Sequence, residues 1–376
     1  LDGKIKVDHH HVKLPVIGWV KTFERLPQVV HLLDITKEIR MRKLATVRKI
    51  SDIRPIPNAD NIELAIVDGW KVVIRKEEFN VNDLAIYCEI DSWIPERLAP
   101  FLTPKGREAK EYNGVKGNRL KTVKLRKQIS QGLLLPLDGE FSNAVEGQDL
   151  TLELGIQKYE PPVPAQLVSD TRCVFPNYVP KTDQERVQNL TDELSEWSEM
   201  NLEFEITEKL NGSSMSVICN NGDIHVCSRN YSLKESDNNT FWKVAKSLQL
   251  PEKLKGLNKN IALQGELVGE GIQKNPYKLK GQTFYLFDAY DIDSAQYLMP
   301  ILRSRLAYEL NINHVPIIDH CWYCYVTNTD NLLDKAEHKS WLNSKVEREG
   351  LVFKCLHQPE ISFKVISNKY LLKEEK

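Results

Sequence analysis

From Lys43 onward the apolar positions fall in short runs rich in β-branched residues. Leu44–Ile50, Ile62–Val67, Trp70–Ile74 and Leu84–Glu89 are separated by Arg54-Pro-Ile-Pro-Asn-Ala-Asp60, Asp68-Gly69 and Asn80-Val-Asn-Asp83. Proline, glycine and Asn/Asp clusters between such runs are turn chemistry, so the pattern predicts several short strands forming a small barrel or sandwich. Gln131–Leu137 and Asp149–Leu154 would complete it. The first 40 residues carry no comparable pattern, although Asp34–Arg40 could begin a connecting helix.

The segment Lys158-Tyr-Glu-Pro-Pro-Val-Pro164 breaks the strand pattern. Prolines stiffen the chain and cannot donate to a sheet interior, which predicts a linker. Beyond it, Val187, Leu190, Leu194 and Trp197 make a helical stripe within Thr182–Met200. Leu298, Leu302, Leu306 and Leu310, four apart, mark another helix. Strands are predicted at Leu202–Ile206, Ser214–Cys219, Ile224–Ser228, Thr283–Tyr290 and Leu351–Cys355. The pattern divides the chain into residues 1–40, a β-barrel over 41–157, a linker over 158–170 and a mixed α+β domain over 171–376.

Composition changes this picture little. The 376 residues are 41% apolar and 27% charged, with a net charge of −1, ordinary values for a globular protein. No apolar run approaches a membrane span. Seven scattered cysteines without a secretory signal read as reduced thiols, implying an intracellular, reducing compartment. Cys321-Trp-Tyr-Cys324 lacks the second ligand pair of a zinc site and reads as structural thiols. His9–His11 read as a solvated terminus, and a chain beginning at Leu1 points to a removed start.

The candidate chemistry begins at Glu208-Lys209-Leu210-Asn211-Gly212, on a strand-to-loop turn. A lysine there, with glycine three residues on, can aim an amine at a nucleotide α-phosphate. Two other Lys-x-x-Gly matches, at Lys253 and Lys278, do not have the full ordered set of polar segments that follows Lys209. Arg229 comes one hairpin later, then Gly265-Glu266-Leu-Val-Gly269, Phe284-Tyr-Leu-Phe287-Asp, Glu349-Gly-Leu-Val-Phe-Lys354 and Ser362-Phe-Lys364. Nucleotidyl transfer needs a lysine whose pKa falls through burial or neighbouring cations, and Lys354 and Lys364 are the available ones. It needs cations for the triphosphate and carboxylates for a divalent metal, and Glu266 and Glu349 qualify. Singly each has a plainer reading: Arg229 as a solvated charge, Glu-Gly as a turn, Phe284 and Phe287 as core. Three apart on a strand, those two phenylalanines should face opposite sides.

In this order the segments resemble the polynucleotide ligases, and within them the ATP-dependent RNA ligases of the phage RNA ligase 2 type. Gly265-Glu-Leu-Val-Gly-Glu-Gly-Ile-Gln-Lys-Asn275 is especially similar, and the resemblance covers roughly residues 171–370. It implies a nucleotidyltransferase domain of antiparallel sheets flanked by helices, with ATP between them and Mg²⁺ or Mn²⁺ as the metal. It further implies Lys209 as the adenylylated nucleophile, Glu208 at the adenine edge, and Asn211 and Gly212 beside the nucleotide. Arg229 would contact ribose or phosphate, Glu266 ribose and metal, and Phe287 would stack on adenine. Glu349 would serve the metal, and Lys354 and Lys364 the phosphates. Two departures stand out: Asn211 where many members have Asp, and Ile366 where a second lysine is common. Val179-Pro-Lys-Thr-Asp-Gln-Glu-Arg-Val-Gln-Asn189 also resembles the family's lead-in, without assigned roles.

The N-terminal stretch Ile53–Ala65, with Val67-Asp-Gly-Trp70 and Gln131-Gly-Leu-Leu-Leu-Pro136, resembles OB-fold domains that bind tRNA. A branch of RNA ligases carries such a domain, so the two resemblances agree. Lys116, Arg119, Lys121, Lys124, Arg126 and Lys127 form a run without an acid. With Arg119 and Lys121 on one strand face, such a groove can track a phosphate backbone, while a charged edge strand is the plainer reading. Tyr112 and Trp93 are the nearest stacking candidates.

The expected protein is therefore a monomeric ATP-dependent RNA ligase that seals 3′-OH and 5′-phosphate ends, in nicked duplex RNA, for repair. A DNA ligase, a capping-type guanylyltransferase and a non-catalytic RNA-binding protein are the alternatives. On this reading, deleting residues 1–165 impairs sealing more than adenylylation of Lys209. Step-resolved assays of the truncation check this, and equal loss of both steps would mean that the barrel supports the catalytic fold.

Overall fold

The computed structural model describes residues 42–160, 169–323 and 329–374. The N-terminal extension with His9–His11 and Asp34–Arg40, most of the proline-rich linker, and Cys324 lie outside them. Ala45–Lys49 pairs antiparallel with Leu84–Cys88, whose other edge takes Leu133–Pro136. Asp52–Pro55, Ile62–Val67 and Trp70–Arg75 form a meander. Its Asp68-Gly69 turn has positive φ at both residues, as a two-residue hairpin requires. A further sheet runs Gln157–Lys158, Ser92–Pro95, Val115–Arg119, Lys110–Tyr112. One apolar cluster gathers Val47, Ile86, Ile94, Leu150 and Leu154, and a second gathers Trp70, Val72, Tyr87 and Leu134.

Two expectations here need correction. Asp149–Leu154 is a turn with one bridge, Thr46 to Asp149, and not a strand. The Asp149 carboxylate accepts from the amide and hydroxyl of Thr151, which bends the chain. Leu150 and Leu154, four apart, then both reach the core. The basic run is likewise no single strand face. Val115–Arg119 ends before a break, and Val123–Leu125 pairs with Gln128–Ser130 through a turn in which Arg126 and Lys127 have positive φ. Arg119 pairs with Asp91 at 2.5 Å and lies 5.0 Å over the ring of Tyr159.

The C-terminal part is built on two sheets. The eight-stranded one has as its central neighbours Asp223–Cys227, Ser213–Asn220, Ile261–Gly269 and Gln282–Asp291. Helices Thr240–Ser247 and Leu250–Gly256 cover it, placing Trp242, Val244 and Leu254 against Val217, Leu263 and Phe284. Asn239 caps the first helix by accepting from the amides of Phe241 and Trp242. The five-stranded sheet runs Glu185–Arg186, Ser362–Ile366, Gly350–Cys355, Glu203–Lys209, Ile317–Tyr323. Phe353 and Phe363 stack at 4.6 Å in its core, beside Phe204 and Trp197.

The helix expected over Thr182–Met200 spans only Thr191–Glu199. Glu185–Arg186 instead pairs parallel with Phe363 and Lys364, and Val187–Asn189 is one tight turn. Pairing to a sheet edge thus overrides the apolar stripe. The leucine repeat gives a helix over Pro300–Glu309, with Leu306 and Leu310 buried but Leu302 exposed.

The β-barrel touches the lead-in segment of the catalytic part directly. Trp70 Nε1 donates to Asn189 Oδ1 at 3.0 Å, and Asn189 Nδ2 donates to Glu89. The Arg186 guanidinium lies 5.7 Å over the Trp70 ring. Removing the barrel would therefore also remove supports of residues 186–189.

A bulge on Gln282–Asp291 shapes the site. Gln264 faces Asp288 while Gly265 faces Leu286, so Phe287 is the extra residue. With this bulge Phe284 and Leu286 lie in the core, Phe287 lines the cavity, and Asp288 accepts from Lys354. Gly265 makes this possible, because a Cβ there would stand 2.4 Å from the Phe284 ring and from the Tyr285 carbonyl. Gly265→Ala is expected to cost about 1–3 kcal/mol of stability by overpacking, read as a lower urea midpoint with an unchanged slope.

Candidate active site

The strand Glu203–Lys209 carries two of the candidate residues at its end. Its antiparallel register sets Glu208 opposite Leu351 and Lys209 opposite Gly350. Glu349 therefore sits at the mouth of the next strand, further fixed by a bond from the Ser367 amide to its carbonyl at 2.9 Å. Its Oε1 lies 2.6 Å from Lys209 Nζ. The charge of Glu266 acts on the same amine from the other sheet, where Ile261–Gly269 pairs with Ser213–Asn220. Gly212 allows that approach, since a Cβ there would fall 2.4 Å from the Leu267 carbonyl.

These residues border a cavity of about 540 Å³ between the two sheets, a size suited to a nucleotide. Glu208, Lys209, Gly212, Arg229, Glu266, Phe287, Lys354 and Lys364 all line it. Glu349 joins them through its bond to Lys209. Asn211 and Ile366 are not among the lining residues; the Asn211 amide donates to Tyr277 Oη at 2.6 Å. Glu208 is buried, and its Oε2 accepts from the Trp341 amide at 2.8 Å. Burial nevertheless pushes its carboxyl up, against hydrogen bonds from Ser340 and Trp341.

The electrostatics differ from the sequence expectation. Burial pushes the Lys209 amine down, but the charges of Glu349 and Glu266 outweigh it and hold the pKa above the ordinary lysine value. The cation opposing them is Arg186, not Lys354 or Lys364. Lys354 is buried and ion-paired with Asp288, with its ammonium 4.8 Å over the Tyr297 ring. Burial lowers its pKa, partly offset by Asp288. Behind it, Arg303 pairs with Glu205 and donates from Nε to His314 Nε2 at 2.9 Å. Burial and Arg303 push His314 down to about 4, so its ring is neutral.

Asp183, Arg186, Asp288 and Tyr277 escaped the sequence reading. The first two lie in the lead-in segment, whose resemblance was visible but whose fold back to the site was not. Asp288 comes directly after Phe287 and needed the bulge to be placed. No short-motif signal marks Tyr277.

Glu266 and Glu349 have the chemistry of a divalent-metal donor pair. Burial, and then the Glu349 charge, raise the Glu266 carboxyl to about 8 despite Lys209. Two acidic side chains that raise each other's cost of ionisation are a donor set that a divalent cation relieves. Among the described residues there is no cluster of three or more Asp, Glu, His or Cys side chains able to hold a metal. A two-carboxylate set suits Mg²⁺ or Mn²⁺, which keep waters and phosphate oxygens as remaining ligands.

A nucleotide-sized cleft between antiparallel sheets, with a strand-end lysine set among carboxylates, defines the catalytic domain of a polynucleotide ligase. The comparisons with known proteins narrow the class. A family model described as RNA ligase matches residues 202–370, and one described as an OB-fold domain matches residues 44–137. Among solved structures, an apo aspartate-to-alanine mutant of the Naegleria gruberi RNA ligase is 46% identical, with a TM-score of 0.79, covering 89% of this chain and 98% of that one. A lysine-to-alanine mutant of the same ligase with ATP and Mn has the same identity and TM-score and covers 89% and 99%. So does that ligase with PPi. No curated protein matches the chain. The chain belongs to the RNA ligase family, with an OB-fold domain ahead of the ligase domain. Among the described residues no helix is long and apolar enough to cross a membrane.

Glu266 yields a pH prediction. A carboxyl with a pKa of about 8 is mostly neutral at pH 7 and must ionise to hold a cation. Mn²⁺ binding to the nucleotide-free protein should therefore release about one proton at pH 7 and progressively less above pH 9, with affinity rising over that range. Calorimetry in buffers of different ionisation enthalpy reads the proton count, and Glu266→Gln should abolish the release.

Proposed function

We propose that this RNA ligase joins 3′-OH and 5′-phosphate ends through a covalent lysyl–AMP at Lys209, using ATP and a divalent metal. The observation that carries the reading is the Lys209 amine at the floor of the cavity, 2.6 Å from Glu349 and in the field of Glu266. A lysine placed only for phosphate binding gains nothing from a carboxylate bonded to its amine and a second acid acting on it. A nucleophile whose charge state must be controlled does.

In the first step the neutral Lys209 amine attacks the α-phosphorus of ATP, the N–P bond forms, and pyrophosphate leaves. In the second, an RNA 5′-phosphate oxygen attacks the same phosphorus and the N–P bond breaks. In the third, a 3′-OH attacks the 5′-phosphate phosphorus and AMP leaves. Bound by Glu266 and Glu349, Mg²⁺ or Mn²⁺ supplies charge neutralisation at the phosphates and draws carboxylate charge away from Lys209. Glu208 accepts from the adenine amino group, an arrangement that favours ATP over GTP. Phe287, half-buried on the cavity wall, stacks on the base. Arg229 and Lys364 hold phosphates, and Lys354 does so once a phosphate competes with Asp288. Gly212 keeps the backbone close to the nucleotide.

The division into a barrel over 41–157, a linker over 158–170 and a ligase domain over 171–376 fits this assignment, as does action as a monomer. The barrel, with Lys116, Arg119, Lys121, Lys124 and Arg126, grips the duplex around an RNA nick, which suits repair. Sealing of RNA-ended nicks but not all-DNA nicks separates this reading from a DNA ligase.

Incubation with α-³²P-ATP and Mg²⁺ should label the protein, and Lys209→Ala should abolish the label while leaving the fold intact by circular dichroism. Because the carboxylates hold the Lys209 amine protonated, the labelling rate should rise with pH above neutrality. Equal labelling of Lys209→Ala would sink the assignment.

A further inference from the structure

Asp183 lies on the cavity wall within the lead-in segment and has no role in the chemistry above. The Gln264 amide anchors the preceding Pro180 carbonyl from one sheet at 2.7 Å. Glu185–Arg186, just after it, pairs with the other sheet. The segment thus spans the cavity edge with Asp183 in its middle. The Asp183 carboxylate faces three cations from three different places. Lys158 Nζ donates to Oδ2 at 2.6 Å, from the strand that pairs with Ser92 and Trp93 of the barrel. Arg229 Nη2 stands 3.4 Å from the same oxygen. Lys364 Nζ stands 3.4 Å from Oδ1.

Three cations converging on two anionic oxygens is the arrangement that a phosphate group calls for, with more acceptor oxygens and more charge than a carboxylate offers. Without an anion the cations would repel one another; with Asp183 they are held assembled. The surrounding cations also keep that carboxyl ionised far below its ordinary range, although burial works against them. Protonation does not empty the position, so only exchange for another anion can.

We propose that Asp183 is the internal occupant of a phosphate cradle formed by Lys158, Arg229 and Lys364, and that an incoming phosphate group displaces it. Lys158 thereby becomes a phosphate ligand supplied from the barrel side of the linker. The inference rests on the reading of Arg229 and Lys364 as phosphate-binding residues. Two sources share this chemistry, the departing pyrophosphate portion of ATP and the 5′-phosphate of RNA.

The test is calorimetric binding of inorganic pyrophosphate, and separately of a 5′-phosphorylated oligoribonucleotide with a 5′-OH control, to the full chain without metal. Asp183→Asn should tighten binding of one of these probes about 3–10-fold, the size of one or two partly exposed ion pairs freed for the ligand. The probe that gains identifies the source. Asp183→Glu should stay within about twofold of the native protein, and Lys158→Met should weaken the same probe. A residue serving only the fold would give weaker binding and a lower melting temperature in Asp183→Asn. Unchanged or weaker binding of both probes to that variant overturns the proposal, as does weakening seen only with Mn²⁺ present, which would make Asp183 a metal-side group. If Asp183→Asn fails to fold, loss of affinity in Lys158→Met sustains the cradle and unchanged affinity overturns it. Lys364→Ala separates the two levels. If it leaves binding of both probes unchanged, the phosphate assignment itself fails. If it weakens binding while Asp183→Asn does not strengthen it, only the cradle fails.

Discussion

The ion pair between Lys209 and Glu349 depends on strand register, and the rest of the catalytic part is arranged around it. Lys209 ends one strand and Gly350 begins its neighbour, so antiparallel pairing of the two puts residue 349 beside the amine. A slip of one residue would turn Lys209 to the other face of the sheet and bury its charge in the aromatic core. The stacked Phe353 and Phe363, packed edge-on by Phe204, hold that register; each such aromatic pair contributes about 0.5–1.5 kcal/mol beyond area burial.

Charge balance is the second constraint. The cavity concentrates cations for a polyanionic ligand, and each that is buried in the free protein has an internal partner. Lys354 has Asp288, Arg303 has Glu205, and Lys209 has Glu349. Breaking a buried pair by removing one partner costs about 3–5 kcal/mol, since the other charge is left in a poorly solvating interior. The fully buried Arg303–Glu205 pair serves the architecture. The Lys209 and Asp183 pairs are more open to solvent.

The two parts of the chain are also less separate than a linker between them suggests. Asn189 bonds at once to Trp70 and Glu89 of the barrel and to Glu185 on the preceding strand. Arg186, three residues before, is the cation that reaches Lys209. The barrel therefore abuts the electrostatic environment of Lys209 as well as offering basic residues outward.

Much of this was legible in the chain. Residues in locally ordered segments, such as Lys209 before a glycine or Glu266 between two, appear as short segments in a fixed sequence, and runs of β-branched or aromatic residues located strands such as Ile62–Val67, Trp70–Arg75 and Gln282–Asp291. What depended on pairing partners did not show. The apolar stripe at Val187, Leu190, Leu194 and Trp197 suggested one helix, yet its first part became a strand and turn because an open sheet edge offered backbone hydrogen bonds there. Phe284 and Phe287 diverge as their spacing implies, but only the bulge brings Asp288 to Lys354. The sequence by itself determined the class of chemistry, since the reactive groups and their order are covalent facts. Only the tertiary structure decided which charge faces which. Ion pairs such as Asp183 with Lys364, or Lys209 with Glu349, join residues more than a hundred positions apart, and nothing local in the chain encodes such a distance.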